Sequence, residues 1–378
     1  MLKFVEDLLQ GAPVEWKTLG EVFETRNGYT PSKKEEKYWR GGTIPWFRME
    51  DLRTSGTLLS TAIQRITPEA IRGKGLFCAN SIIMATTATI GEHALLLADA
   101  LANQQFTNFR IRETYEKCLL PKFAYYYFYI LDAWCLENTY IGSFPSVDVE
   151  KLKLQKFPIP PLPVQEKIVE ILDKFTELEA KLGTELVLRQ KQYEYYRNKL
   201  LTFGEEVEWK RLGEVAKIFS GKNKEWSENG IYPIYGSTGI IGHTGHCEYT
   251  TEQLLVARVG ANAGYVHIAN GEYAVSDNTL IVQNSDCLLL KFLYFILVNR
   301  ELNKLSKGGA QPLITGGQLK EVLIPLPSLT EQARIVSLLD KFDTLANSLT
   351  EGVPREIALR HKQYEYYRDA LLTFPKAT

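Results

Sequence analysis

The sequence of 378 residues predicts an α+β protein, in which two globular domains of mixed helix and strand are joined by two long antiparallel helices. Three observations support this prediction. The length exceeds the roughly 100–200 residues of one domain, several segments occur twice, and each copy ends in a long helical pattern. We therefore expect a pseudo-twofold molecule built from one repeated plan.

The internal repeat covers both ends of each copy. The repeated segments are EWKTLGEV (15–22) and EWKRLGEV (208–215), IVEILDKF (168–175) and IVSLLDKF (335–342), and RQKQYEYYRNKLLTF (189–203) and RHKQYEYYRDALLTF (360–374). Twelve of the fifteen positions in the last pair are identical, which is more than helix propensity requires. The distance between matching segments changes along the chain. The region between the first and second repeated segments, which varies between the copies, is therefore 26 residues shorter in the second copy, and the second helical arm is four residues longer.

Four segments follow from the repeat. We predict a first globular domain at 1–157, a first helical spacer at 158–204, a second globular domain at 205–324 and a second helical spacer at 325–378. Each globular domain has short strand patterns between turns, such as GTIPWF in the first and NTLIVQ in the second, and ends in an aromatic-rich helical segment. An α+β arrangement accounts for this order.

The two arms carry apolar residues at steps of three and four, which draw one stripe along a helix. We expect the stripes to pack against each other through Ile168, Phe175, Leu182, Tyr193, Tyr196 and Leu200 on one arm and Ile335, Phe342, Leu349, Tyr364, Tyr367 and Leu371 on the other. Each arm covers about 40 residues, which corresponds to roughly 60 Å of helix. Gly352 and Pro354 should kink or break the second arm, and Gly183 is a weaker point in the first. The chain end should fold back towards residues 15–22.

The amino-acid composition limits the kinds of function that are possible. The 44 basic and 45 acidic residues give a net charge of −1, so any contact with DNA must come from local patches or be shared with a partner protein. No apolar run approaches the ~20 residues of a membrane helix, and residues 1–10 do not resemble a signal peptide. We expect a cytoplasmic protein without a membrane partner. Five dispersed cysteines indicate neither disulfides nor a zinc site.

Catalytic motifs are missing from the sequence. It contains no phosphate loop, no G-x-G-x-x-G, no H-E-x-x-H and no N-P-P-[YF] motif of amino-methyltransferases. The segment HTGHC (243–247) could hold a metal, but a turn with solvated imidazoles is the preferred interpretation. Asp277 and Asn278 could belong to an active site, yet no His or Lys partner is identifiable. We predict no catalytic residue, no bound metal and no cofactor on this chain.

With catalytic motifs missing, the remaining candidate residues are polar side chains that could bind DNA. Polar loops occupy matching places in the two copies with different side chains, and Arg, Asn and Gln are the residues that bind guanine or adenine edges. The candidates are Tyr29, Thr30, Ser32, Lys33, Lys34, Arg48, Thr86, Thr87, Thr89, Asn103, Gln104 and Gln105 in the first copy, and Lys222, Asn223, Lys224, Ser237, Thr238, Arg258, Asn262, Asp277 and Asn278 in the second. The alternatives stay open: a solvated loop around Tyr29, an ion pair of Arg48 with Glu50 or Asp51, and simple turn caps elsewhere.

Motifs in a fixed order carry a resemblance to a known family. They are WKxLGEV in both copies, GYTPS and GGTIPWF (28–32 and 41–47), PIPPLPVQEKIVEILD (158–173) and GIYPIYGSTGIIG (230–242). The chain resembles the specificity subunit of type I restriction-modification systems over nearly its whole length. The resemblance implies two target recognition domains that each bind half of a split site in double-stranded DNA, with the helices setting the gap. It also implies two kinds of partner. Two modification (methyltransferase) subunits would bind S-adenosylmethionine, and restriction/translocase subunits would bind ATP and Mg²⁺.

Two other functions are compatible with the sequence. A specificity subunit could serve a methylation-only or another phage-defence complex, and its neighbouring genes would distinguish that case. A coiled-coil scaffold that binds proteins through its globular ends is a more distant alternative. The scaffold predicts no sequence-selective retention of DNA, and it does not explain two variable regions that share one plan but differ in their loop residues.

Overall fold

The computed structural model describes residues 2–73, 75–223, 225–306, 312–348 and 350–375, with side chains from residue 4 onward. The chain forms two compact units. The first unit combines residues 1–181 with residues 358–378, and the second unit comprises residues 182–357. Within the described residues, no helix is both long and apolar enough to cross a membrane.

Helices and strands are interspersed along the chain. The helices are α1 (Leu2–Leu9), α2 (Leu19–Val22), α3 (Met49–Ser55), α4 (Pro121–Glu137), α5 (Val149–Lys153), α6 (Leu162–Leu200), α7 (Leu212–Val215), α8 (Leu290–Asn299), α9 (Gly316–Lys320), α10 (Leu329–Asn347) and α11 (Gly352–Leu372). The strands of the first unit are β1 (Glu15–Thr18), β2 (Phe23–Asn27), β3 (Ile44–Phe47), β4 (Leu58–Leu59), β5 (Gln64–Ile66), β6 (Ile82–Ala85), β7 (His93–Leu96), β8 (Leu101–Ala102), β9 (Phe106–Ile111), β10 (Thr139–Ile141), β11 (Pro145–Val147) and β12 (Lys156–Ile159). Those of the second unit are β13 (Glu208–Arg211), β14 (Ala216–Ser220), β15 (Tyr232–Gly236), β16 (Gly239–Thr244), β17 (Gln253–Ala257), β18 (Val266–Ala269), β19 (Ala274–Val275), β20 (Thr279–Asn284) and β21 (Leu323–Leu326).

The first unit is built around a five-stranded sheet of order β2-β9-β6-β7-β4. Successive residues of β6 point to opposite faces, and both faces are buried. Ile82 and Met84 pack in one core with the aromatic residues of α4. Ile83 and Ala85 pack in a second core beneath the small sheet β5-β3-β8, which includes Trp46. The sheet therefore lies between a helix and a smaller sheet.

The second unit repeats this arrangement with fewer residues. Its main sheet has the order β14-β20-β17-β18, and a small sheet has the order β16-β15-β19. Leu254 and Val256 face the core that contains α8, whereas Leu255 faces the core of the small sheet, which has five buried residues. The mixed helix and strand content and the two-copy plan agree with the predicted α+β fold.

The two arms differ in continuity. Helix α6 runs through Gly183 for 39 residues without interruption. The second arm is divided, because α10 ends at Asn347 and α11 begins at Gly352. Gly352 has φ +73°, and a Cβ there would lie 2.4 Å from the carbonyl oxygen of Thr344. Only glycine tolerates both conditions, so the predicted break at this position is confirmed.

In each unit the start of one arm packs against the end of the other. The rings of Phe175 and Tyr367 stack at 5.4 Å in the first unit, and those of Tyr196 and Phe342 stack at 5.0 Å in the second. Among the other predicted stripe residues, the buried ones are Ile168, Tyr193, Ile335, Tyr364 and Leu371, and the partly buried ones are Leu182 and Leu200. Leu349 lies outside the described residues. This arrangement agrees with the predicted antiparallel arms.

The end of the chain returns to the first unit. The indole Nε1 of Trp16 donates a hydrogen bond to the carbonyl oxygen of Pro375 (3.1 Å). The ring of Phe374 meets that of Phe123 edge-on at 6.1 Å. The last described residues therefore contact strand β1, as the sequence predicts.

Candidate nucleic-acid interface

Three polar segments of the first unit meet at one end of its main sheet, which we call the first loop end (residues 28–30, 86–89 and 103–105). Backbone hydrogen bonds join them. Gly28 N donates to Phe106 O (2.9 Å), Tyr29 N to Ala102 O (2.9 Å), and Thr86 N to Gln105 O (3.0 Å). The first segment, more than 50 residues away from the other two in sequence, thus forms one continuous surface with them.

Gly28 allows this approach. A Cβ at this position would lie 2.3 Å from the carbonyl oxygens of both Ala102 and Asn103, well inside van der Waals contact. Because any side chain would separate the two segments, the first loop end depends on a glycine here. The second unit has Gly221 at the matching place, where a Cβ would lie 2.4 Å from the carbonyl oxygen of Ser276.

The side chains of the first loop end are mostly amides and hydroxyls. Thr30 Oγ1 donates to Gln104 Oε1 (2.6 Å), and Asn103 Nδ2 donates to Gln105 Oε1 (2.9 Å). Gln104 is exposed, and the other three side chains are partly exposed. Amide groups held in this way offer both donors and acceptors to a ligand. Bidentate binding of adenine edges uses this chemistry.

A buried hydroxyl network supports the surface from below. The hydroxyls of Thr86 and Thr107 share a hydrogen bond (2.8 Å), and Thr107 Oγ1 donates to Asn27 Oδ1 (3.0 Å). Thr86 is buried, so its hydroxyl positions the loop and is not presented at the surface. Thr87 and Thr89 are partly exposed.

The hairpin β10–β11 holds the segment 86–89 and was missed at the sequence level. Val147 N donates to Thr86 O (2.9 Å) and Ala88 N donates to Pro145 O (2.8 Å). The hairpin also carries two very exposed apolar side chains, Ile141 (93%) and Phe144 (70%). A signal existed in the sequence, because the repeat includes Gly142 and Pro145 with their counterparts Gly309 and Pro312.

Several other candidates of the first unit have partners inside the domain. The Tyr29 hydroxyl donates to Ala70 O (3.1 Å) and accepts from Arg72 N (2.7 Å), which ties it to its own domain. The Arg48 guanidinium forms an ion pair with Glu50 (2.7 Å), the alternative that the sequence left open. Ser32 is partly exposed, and Lys33 and Lys34 are exposed.

The second unit reproduces the backbone arrangement in the second loop end (residues 221–223, 258–262 and 276–279). Gly221 N donates to Thr279 O (2.9 Å), Asn223 N to Val275 O (3.0 Å), and Arg258 N to Asn278 O (3.0 Å). Residues 312–314 take the place of β11: Ile314 N donates to Arg258 O (2.9 Å) and Gly260 N to Pro312 O (3.0 Å). The same hydrogen-bond pattern therefore holds both loop ends.

The side chains of the second loop end have a different character. Arg258 is partly buried, and its Nε has no hydrogen-bond partner among the described residues. Ser276 Oγ accepts from Asn278 N (3.3 Å). The remaining candidates are placed as follows: Lys222, Asn262, Asn278 and Thr238 are exposed, Asn223, Asp277 and Ser237 are partly exposed, and Lys224 lies outside the described residues. Ser237 and Thr238 form the turn between β15 and β16.

An aromatic layer lies behind the second loop end. The His267 ring stacks on Tyr235 (5.7 Å) and Tyr265 (5.5 Å). Neither ring nitrogen has a hydrogen-bond partner among the described residues. Burial lowers the pKa of His267 to about 4, so the ring is neutral at pH 7 and packs as an aromatic side chain.

The histidines of the segment HTGHC do not form a metal centre within the part of the chain that the structure describes. His246 Nε2 lies 3.9 Å from a Glu225 carboxylate oxygen, and both side chains are 80% exposed. The described residues contain no group of three or more His, Cys, Asp or Glu side chains that could hold a metal ion.

Comparison with known proteins places both units in one family. The model of the type I restriction modification DNA specificity domain matches residues 13–187 and 204–359. The EcoprrI specificity subunit of Escherichia coli is 42% identical over 93% of this chain and 92% of its own length. The EcoR124I/EcoR124II specificity subunit of Escherichia coli is 34% identical over 99% of this chain and 98% of its own length.

A solved structure shares the fold. The HsdS subunit from Thermoanaerobacter tengcongensis superposes with a TM-score of 0.53 at 20% identity, and the alignment covers 96% of both chains. The family model matches each copy of the internal repeat separately, which agrees with the repeated loop ends. The chain therefore belongs to the family of type I restriction-modification specificity subunits.

Proposed function

We propose that this chain is the recognition subunit of a type I complex and carries no active site of its own. Each loop end binds one half of an asymmetric, bipartite site in double-stranded DNA. One observation carries the proposal: the two loop ends share a backbone hydrogen-bond pattern but differ in nearly every side chain that they expose. A common scaffold with different donors and acceptors suits two different short base sequences.

The chemistry of the loop ends suggests what each one binds. The amides of Asn103, Gln104 and Gln105 in the first loop end suit adenine edges, which bind Asn and Gln in bidentate pairs. The second loop end offers the partly buried Arg258 guanidinium, and guanine is the base that Arg binds most often. We expect half-sites of different composition.

The duplicated arm ends support two copies of the same partner. Tyr195 and Tyr366 occupy the same position of the repeated tyrosine-rich segment, and their side chains are 60% and 59% exposed. Two matching surfaces would bind two identical modification subunits. We propose that these subunits bind S-adenosylmethionine and methylate adenine, whereas restriction/translocase subunits bind ATP and Mg²⁺.

The arms would set the number of base pairs between the half-sites. The continuous helix α6 has 39 residues, which corresponds to about 58 Å at 1.5 Å per residue. Four residues inserted near Gly183 add one turn, or about 5.4 Å. At 3.4 Å per base pair, we expect the gap to lengthen by one or two base pairs.

Methylome sequencing tests both statements. Host DNA should carry one asymmetric, split adenine-methylated motif when this chain is expressed with its modification subunits, and the insertion variant should shift only the gap. An unchanged gap would refute the role of the arms. Absence of any split motif would refute the function itself, and DNA cleavage by the isolated chain with Mg²⁺ would contradict the lack of an active site.

A further inference from the structure

A cleft of about 550 Å³ lies at the edge of the main sheet in the first unit, along strand β2. We call it the basic cleft, because its lining contains four cations, Arg26, Arg110, Arg112 and Lys153, and one carboxylate, Glu24. Strand β2 forms the edge of this sheet, and Glu24 lies directly opposite Arg110 in the register. The cleft follows this edge strand.

Arg26 is the central residue of the basic cleft. It is partly buried, and its guanidinium lies over the ring of the buried Phe77 at 4.7 Å. No carboxylate pairs with Arg26 among the described residues, and burial lowers its pKa below the ordinary value. A partly desolvated cation without a counter-charge favours an anionic ligand.

The other three cations have ion-pair partners that are exposed to solvent, and the Arg112 guanidinium also donates to the carbonyl oxygen of Gly20. Arg112 contacts Glu24 at 3.4 Å, Arg110 contacts Glu116 at 3.9 Å, and Lys153 contacts Glu150 at 2.7 Å. At least one side chain of each pair is more than 40% exposed. Exposed pairs contribute about 0–1 kcal/mol, so a phosphate can compete for these cations. Four cations in one cleft suit a polyanion.

The cleft is continuous with the first loop end. Arg26 precedes Gly28 by two residues, so both positions face the same side of the sheet about 7 Å apart. The cations extend along β2 from the level of Val22, whose carbonyl oxygen accepts from Arg112 N (3.0 Å), over about 13 Å. DNA carries one phosphate per 3.4 Å of axis on each strand, so a strand leaving the loop end would place several phosphates along this path.

The second unit lacks this set of side chains. The register places Lys217 opposite Gln283 and Phe219 opposite Ile281, at positions that correspond to Glu24, Arg110, Arg26 and Asn108. Ser285 replaces Arg112, since its N–H donates to Val215 O (3.0 Å) in the same way. Lys320 corresponds to Lys153. All three arginines are therefore specific to the first unit.

We infer that the basic cleft binds the phosphodiester backbone that flanks the half-site of the first unit, so that the complex holds its two half-sites with unequal electrostatic contributions. The inference rests on the proposed function. It does not concern base reading, because arginines on phosphates contribute affinity without sequence information. The consequence is a measurable asymmetry in salt dependence.

The test uses the chain assembled with its modification subunits. In the double variant R26Q/R110Q, the slope of log K against log salt for its methylated motif should become less steep by about 1.8, since each lost phosphate contact removes about 0.9. Affinity for specific and non-specific DNA should fall by the same factor. The control K217Q/K320Q removes two cations of the second unit, at the positions that correspond to Glu24 and Lys153, and should leave the slope unchanged.

Further measurements separate the alternatives. The variant R26K keeps the charge and should retain the wild-type slope, which distinguishes a phosphate contact from a packing role on Phe77. An unchanged slope in R26Q/R110Q, or an equal decrease in the control, would overturn the inference while leaving the DNA function intact. Failure of the wild-type complex to select any sequence would instead overturn the proposed function.

A free phosphorylated ligand is the competing occupant. Calorimetric titration of the wild-type complex with inorganic phosphate and with ATP at low salt should show no saturable binding. Saturable binding of either probe that disappears in R26Q, together with an unchanged DNA slope, would assign the cleft to a free anion and contradict the inference.

Discussion

The two loop ends are alike in backbone and unlike in side chain. Residues 86–88 of the first unit pair with residues 145–147, and residues 258–260 of the second unit pair with residues 312–314, through equivalent hydrogen bonds. The residues at the start of these segments are nevertheless Thr86, which is buried in a hydroxyl network, and Arg258, which has an unpartnered Nε. The comparison shows that the scaffold depends on main-chain hydrogen bonds, which any residue can make, so the side chains are free to differ.

The support of each arm is also repeated. Gln165 accepts from Leu120 N (2.9 Å) and donates to Cys118 O (2.8 Å) and Pro160 O (2.7 Å). Gln332 makes the same three contacts with Leu289, Cys287 and Pro327, at 2.9, 3.0 and 2.9 Å. Both glutamines are fully buried. Each joins the start of an arm to the aromatic-rich helix that covers the sheet.

The largest expected effect comes from removing this support. Gln165→Leu should lower the free energy of unfolding by about 3 kcal/mol, because it leaves one buried N–H and two carbonyls without partners at about 1 kcal/mol or more each. Gln332→Leu should cost a similar amount. Urea denaturation of both variants tests the equivalence, and a loss below 1 kcal/mol in either would contradict it.

Gly28 and Gly221, which match between the two copies, allow a separate test of each loop end. Gly28→Ala should reduce discrimination at one half-site by roughly tenfold or more, since displaced side chains lose bidentate contacts of about 1–3 kcal/mol. Gly221→Ala should do the same at the other half-site only. Methylation rates on DNA with single substitutions in each half-site measure this. Gly183→Ala on α6, where a Cβ meets nothing within 4 Å, is the matched control. Loss at both half-sites from one variant would refute independent loop ends.

A pH effect is expected from the second unit. Burial lowers the pKa of His267 from 6.5 to about 4, so between these values the unfolded chain binds the proton more readily than the folded chain. Stability should therefore be full above pH 6.5 and fall as the pH decreases towards 4, by about 1 kcal/mol between pH 7 and 5 after allowance for partial exposure. His267→Phe should remove this part of the pH dependence. Calorimetric unfolding at both pH values measures it, and an unchanged dependence in the variant would exclude His267 as its cause.

The smallest effect concerns one backbone position. Ala88 has φ +68° where the second loop end has Gly260 at φ +82°. Ala88→Gly should stabilise the chain by about 0.5 kcal/mol, because relief of the left-handed strain exceeds the entropy cost of glycine. Gly260→Ala should destabilise it by a similar amount. Thermal unfolding compares the two changes, and effects of the same sign would show that the positions are not equivalent.

Much of the fold could be predicted because it depends on local patterns in the sequence. The 3.6-residue periodicity predicted both arms, the repeat predicted two units, and Gly352 marked the break in the second arm. The prediction for Gly183 was weaker, and α6 passes through it, since a helical glycine with open space around it costs only about 1 kcal/mol. The hairpin β10–β11 was missed because its two strands have only three residues each, and its contact with residues 86–88, more than 50 residues away, has no local signal.

The candidate DNA-binding surface could likewise be predicted only in part. Loops containing Thr30, Asn103 and Arg258 were predicted from their residue types and matching places in the repeat. The sequence could not show that Thr86 and Tyr29 use their hydroxyls within their own domain, because burial depends on what packs above a residue. It also could not show the basic cleft, since Arg26 and Arg110 are neighbours only through the pairing of β2 with β9.

By itself, the sequence determined the two-copy plan, the helical arms, the absence of known catalytic motifs and the family resemblance, all of which depend on order and spacing along the chain. Only the tertiary structure decided which polar groups share a surface and which are already satisfied. It also showed that Arg26, beside the first loop end, has no carboxylate partner within the described ranges. The reason is physical: hydrogen bonding and charge compensation depend on distances in space, and strand pairing creates these between residues far apart in sequence.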